Sequence, residues 1–63
     1  MTQITEIRTF LNTIKKTKAV VQFESEWEEY QVLFYKNGRL QKDATYHTDD
    51  LEDAFGTAKV MVE

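Results

Sequence analysis

Catalysis by a nucleophile and its base would have to be built from His47 and Ser25, the one histidine and the one serine of the chain. They lie far apart in sequence, and neither sits in a recognisable nucleophile motif. His47 stands just ahead of a predicted helix, where a histidine usually serves as a surface or capping group. A cation would need Asp49, Asp50, Glu52 and Asp53. A calcium loop, however, requires alternating oxygen ligands and a glycine at its sixth position, and this run has neither. Gly38 and Gly56, the two glycines, are too scattered to cradle a phosphate. Cysteine is absent, which removes disulfides and Cys-based zinc sites. The expected protein is therefore not an enzyme and carries no metal or cofactor.

Binding is the chemistry left to consider. Trp27 lies among Glu26, Glu28 and Glu29, and tryptophan is enriched where proteins meet. Two placements are open: Trp27 folds back over a small core, or it points outward and suits a partner with a basic rim. The net charge of −3 removes the default attraction to nucleic acid or an anionic membrane. No apolar run approaches the ~20 residues of a membrane span. The N-terminus lacks the basic-then-apolar layout of a signal peptide. A cytoplasmic protein is expected.

These residues need elements to position them. With 63 residues the chain is a single domain, 1–63. A domain this small buries roughly 60% of its unfolded surface, so an oligomer or partner is expected to help unless the core packs well. Ile4, Ile7, Leu11 and Ile14 recur at helical spacing, with Phe10 beside them, and predict a first helix over 3–16. Thr2 would cap it. Residues 19–23 read as a strand. Crowded carboxylates then place a turn near Ser25 and Glu26.

Residues 30–40 read as a hairpin, because Tyr30 to Tyr35 favours a strand and Asn37-Gly38 tolerates positive φ. Two turns compete. A two-residue turn on Asn37-Gly38 opposes Val32 to Asp43 and Phe34 to Gln41, mixing apolar with polar. A three-residue loop, 36–38 with Gly38 as the bulge residue, pairs Phe34 with Leu40 and keeps one face apolar, so it is preferred. Strand 3 then runs over about 39–46, with Lys42-Asp43 as the place where it would break. Asp49 or Thr48 caps a second helix whose inner stripe is Leu51, Ala54, Phe55, Ala58, Met61 and Val62. Gly56 within it costs about 1 kcal/mol relative to alanine, and close packing is one explanation.

The predicted fold is α+β, helix-strand-strand-strand-helix, with a three-stranded antiparallel sheet and both helices on one face. The core would be Ile4, Ile7, Leu11, Ile14, Val21, Phe23, Tyr30, Val32, Phe34, Leu40, Leu51, Phe55 and Ala58. The other face would carry Val20, Leu33 and Tyr35 with no cover in the chain, although antiparallel sheets do tolerate one wet face. The candidate partner-binding residues are therefore Val20, Trp27, Glu28, Leu33 and Tyr35.

This order of elements resembles the double-stranded-RNA-binding domain. That family grips phosphates with a Lys-rich start to its second helix and a His-containing first loop. Here those places hold Asp49-Asp50-Leu51-Glu52-Asp53 and Ser25-Glu26-Trp27-Glu28, which repel a phosphate backbone. Lys15, Lys16, Lys18, Lys36, Arg39 and Lys42 would form a basic patch only if the end of the first helix met the hairpin tip. Residues 44–58, after the Tyr-Lys-Asn-Gly hairpin, resemble small orphan accessory proteins of tailed bacteriophages. The resemblance implies a modulator or inhibitor that binds a host protein. A nucleic-acid mimic built from the acidic segments 24–29 and 49–53, and a homodimer, are the other partner classes.

Overall fold

A computed structural model describes residues 2–63. The elements are β1 (Ile4–Asn12), β2 (Thr17–Glu24), β3 (Glu29–Lys36), β4 (Arg39–Leu40), a short 3-10 turn (Lys42–Ala44), β5 (Tyr46–Thr48) and α1 (Leu51–Val62). The fold is α+β, but with one C-terminal helix and an antiparallel sheet of five strands. The two-helix, three-stranded prediction is overturned, and with it the likeness of order to the double-stranded-RNA-binding domain. The strand order is β1-β2-β3, with β4 and β5 both pairing along the outer side of β3.

The predicted first helix, 3–16, is β1 and its following turn. A β-bulge explains the misleading period. β1 pairs Glu6 with Gln22 and Arg8 with Val21, so Ile7 is an extra residue. Paired residues share a sheet face. Ile4 and Glu6 therefore lie on the face of Glu24 and Gln22, while Thr9 and Leu11 lie on the face of Val20 and Lys18. Those are one face, reached by even numbers before the bulge and odd numbers after it. Apolar residues at 4, 7 and 11 thus imitate a helix repeat in a chain that is extended. Ile4, Ile7, Leu11 and Ile14 are exposed instead of forming the core.

The two long hairpins close without glycine. Asn12 pairs with Thr17, and Glu24 with Glu29, so each loop holds four residues. In each, the last loop residue takes positive φ: 57° at Lys16 and 50° at Glu28. In each, the residue before the loop caps it. Asn12 Oδ1 accepts from the backbone N–H of Ile14 and Lys15 at 3.1 and 3.0 Å. The Glu24 carboxylate accepts from those of Glu26 and Trp27 at 3.0 and 2.8 Å, which buries it.

The third hairpin also corrects the expectation. Tyr35 pairs with Leu40 and Lys36 with Arg39, leaving the two-residue turn Asn37-Gly38 with φ of 53° and 80°. That is the turn rejected because it opposed Val32 to Asp43. The chain avoids the mismatch by breaking strand 3. From Tyr35 to Val32 β3 takes three steps, while its partner takes six, from Leu40 to Tyr46. The odd excess, absorbed at Lys42–Ala44, turns the side chains over. Leu40 lies on Tyr35's face, and Tyr46 joins Val32 on the opposite one.

Only one sheet face is covered. α1 packs across it over Ala19, Val21 and Val32, closing a core with its own Ala54, Ala58 and Val62. Phe10, Tyr30, Tyr46, Leu51, Phe55 and Met61 pack half-buried around that core. Val21, Val32 and Ala58 were expected there; Phe23, Tyr30, Phe34, Leu51 and Phe55 reach only partial burial, and Leu40 is exposed. Asp50, not Asp49 or Thr48, caps α1, accepting from the Glu52 N–H at 3.0 Å, while Thr48 Oγ1 accepts from the Asp50 N–H. At the other end the Val62 carbonyl accepts from Asn12 Nδ2 at 2.7 Å and Thr17 Oγ1 at 3.1 Å, so β1 and β2 hold the helix terminus. A Cβ built on Gly56 meets nothing within 4 Å, so close packing does not account for that glycine.

Candidate functional site

The bare sheet face is the one large surface that the helix leaves open. Its rows follow from strand pairing. Thr9, Val20 and Leu33 form the middle row. Leu11, Lys18, Tyr35 and Leu40 form the row toward the Asn37-Gly38 turn. Toward the other end come Glu6, Gln22, Gln31 and His47, then Ile4, Glu24 and Glu29. The middle of the face is apolar, and the Gln22 and Gln31 amides hydrogen-bond to each other at 2.8 Å beside it.

Three of the five candidate residues, Val20, Leu33 and Tyr35, share this face. Val20 is nearly covered by its neighbours, while Leu33 and Tyr35 are half-buried. Lys18 Nζ sits 4.5 Å from the centre of the Tyr35 ring, a cation–π contact at a partly exposed site. Leu11, Lys16, Lys18, Tyr35 and Gly38 line an open groove of about 590 Å³ between the two turns at this end. Leu11 is 64% exposed there, and its part in the surface was hidden by its place in the supposed first helix.

Trp27 and Glu28 stand in the β2–β3 loop at the opposite end of the strands, so the five residues do not converge on one spot. Trp27 is 74% exposed, which decides between its two placements: it points outward. Its backbone is fixed by Glu24, and the loop is tied to the N-terminal segment by the Thr2 hydroxyl donating to Glu26 at 2.8 Å.

Charge is divided along the same axis. The Asn37 N–H donates to the Lys16 carbonyl at 2.8 Å, which brings the β1–β2 turn to the hairpin tip. Lys15, Lys16, Lys18, Lys36 and Arg39, five of the eight basic residues, gather at that end. At the other end stand Glu24, Glu26, Glu28 and Glu29 in the loop and Asp49, Asp50, Glu52 and Asp53 at the start of α1, eight of the eleven acidic residues. A nine-residue strand spans ~30 Å, so the 36 Å long dimension of the molecule runs along the strands. That exceeds the ~8 Å screening length at physiological salt several times over. The two poles are therefore electrostatically independent of each other, and the net charge of −3 describes neither.

The groups first weighed for catalysis have other partners. His47 Nδ1 lies 3.1 Å from Glu29 Oε1, a contact with salt-bridge character when the imidazole is protonated. Ser25 Oγ accepts from the Gln3 N–H at 2.8 Å. Asp53 accepts from the Tyr46 hydroxyl at 2.6 Å. That bond, then burial and the Asp53 charge, raise the Tyr46 pKa above its ordinary value, against a smaller opposing effect from Thr57. Among the described residues no cluster of three or more His, Cys, Asp or Glu side chains is arranged to hold a metal ion. Among the described residues no helix is long and apolar enough to cross a membrane. No family model, no curated protein and no solved structure matches this chain.

Proposed function

We propose that this chain is a small non-catalytic binding module that docks on another protein through the sheet face its helix leaves bare. One observation carries the reading. A single helix covers Val21 and Val32, while Leu11, Leu33, Tyr35 and Leu40 on the reverse have no element of the chain above them. An apolar patch rimmed by charge is the usual form of a protein contact surface. The lysines around Leu11 and Tyr35 suit a partner whose apolar patch is edged with carboxylates. The likeness of residues 44–58 to phage accessory proteins supports a host-cell protein as that partner, met in the cytoplasm. The test is capture from host extract with paired variants. Leu33→Asp places a charge on the bare face and is expected to lose the captured protein. Val60→Asp, on the exposed side of α1, is expected to retain it. Equal capture by both variants removes the bare face as the docking surface.

A further inference from the structure

The bare face has a symmetry of its own. Lys16 and Glu24 stand four positions to either side of Val20 on one stretch of chain, and Asn37 and Glu29 four to either side of Leu33. Val20 and Leu33 are cross-strand partners at the centre. A half-turn about an axis across the strands at that pair exchanges the basic end with the acidic end. Resting on the reading of the bare face as a contact surface, we infer that a second copy of this chain occupies it when no other partner is docked, stacked face to face and reversed end for end in a two-fold dimer.

The reversed arrangement meets each demand of the surface. Val20 and Leu33 lie over their own counterparts and become dry. The Lys16 and Lys18 end lies over the partner copy's Glu26, Glu28 and Glu29 end, twice by symmetry. The alternative half-turn, about an axis along the strands, stacks lysines on lysines and glutamates on glutamates, which like-charge repulsion disfavours. The loop carrying the exposed Trp27 arrives at the groove beside Leu11, Lys18 and Tyr35 of the other copy, where an indole finds apolar walls and a cation.

The area suffices for a modest dimer. Four strand widths of ~4.8 Å by eight residues of ~3.3 Å give roughly 500 Å² per face. The pair buries roughly 1,000 Å², at the lower limit for a specific interface. The monomer has reason to gain from it, since Val21 and Val32 are its largest fully buried side chains. Edge-to-edge pairing through β1 is the competing route to a dimer. The bulge at Ile7 interrupts that edge, as edge strands that avoid pairing commonly are. Arg8, 4.7 Å from the Phe10 ring centre, packs along the same strand.

The test is sedimentation over a concentration series, with the fluorescence of Trp27, the one tryptophan, read in parallel. The mass should rise from 7.5 kDa to twice that and stop, with Trp27 emission moving to the blue over the same range. Added salt should weaken the dimer. Lys16→Glu with Lys18→Glu, and separately Glu26→Lys with Glu28→Lys, should each weaken self-association at least tenfold, and mixing the two variant proteins should restore a heterodimer. Lys16, Glu26 and Glu28 are exposed loop positions and Lys18 is a half-buried strand position beside Tyr35, and circular dichroism verifies that each variant folds. A protein that stays at 7.5 kDa to millimolar concentration overturns the inference. So does growth past two copies, which marks end-to-end stacking, or a dimer indifferent to both charge reversals. The partner-protein reading is tested separately: a monomer that still captures a host protein through Leu33 overturns the dimer alone.

Discussion

Val32 and Leu33 are neighbours on β3 with opposite fates. Val32 is fully buried beneath α1, whereas Leu33 lies half-covered on the face that nothing in the chain overlies. Both are aliphatic, and both sit in a six-residue run from Tyr30 to Tyr35 with only one polar member, Gln31. A strand whose outer face met only water would alternate apolar with polar, as antiparallel sheets with one wet face do. β3 instead is apolar on both faces where it crosses the middle of the sheet. The difference between its faces therefore lies in what covers them: the covered face is completed by the chain, and the bare face is the one we propose another molecule completes.

The largest effect should come from breaking the covered face. Val32→Asp places a charge where no solvent reaches, at a cost on the order of 4 kcal/mol or more. A chain this size has a total stability of roughly 3–9 kcal/mol, so the variant should be largely unfolded by circular dichroism. Next comes the tie that holds α1 in place. Asn12→Ala removes two loop-capping bonds and the bond to Val62, and should cost about 1–3 kcal/mol. In a domain of this size that lowers Tm by at least about 4 °C in a thermal melt.

The smallest effect concerns the rim of the covered face. Tyr46 keeps its proton above the ordinary tyrosine range because Asp53 accepts it. A pKa raised on folding stabilises the fold below the unfolded value and loses that contribution as pH rises through the folded value. Tyr46 should therefore titrate late in an ultraviolet phenolate titration, and Asp53→Asn should bring it back toward the ordinary tyrosine range. The stability difference between the two proteins should shrink over that alkaline range. An unchanged titration in Asp53→Asn would show that the 2.6 Å bond is not what holds the proton.

The strands at β2 and β3, the helix from Leu51 and the presence of a turn around Asn37-Gly38, though not its two-residue form, carry signals that sequence reading captures. Alternation around Val21 and Val32 also sorts the two faces of β2 and β3, including the placement of Val20, Leu33 and Tyr35 opposite the core. Two of the misses share one physical cause, a change of phase. The extra residue at Ile7 turns a strand into an apparent helix repeat. The odd excess at Lys42–Ala44 makes the two-residue turn at Asn37-Gly38 look inconsistent when the pairing is carried through the break at Lys42-Asp43. The loop at 13–16, read as helix, is closed by Lys16 at positive φ without the glycine that advertises such a bend, and the turn expected near Ser25 and Glu26 is closed the same way by Glu28. Asn12 and Glu24, side chains able to accept from the following backbone, were the available signal. The division of charge was half legible: the acidic runs are contiguous, but the basic end exists only because Lys16 meets Asn37.

The reading of the bare face stands on Leu33 being turned away from the core, and its stability can be measured directly. Leu33→Asp should fold and melt within a few degrees of the unaltered protein at low micromolar concentration. An unfolded Leu33→Asp protein, behaving as Val32→Asp should, would place Leu33 in the core and leave no bare face to bind anything.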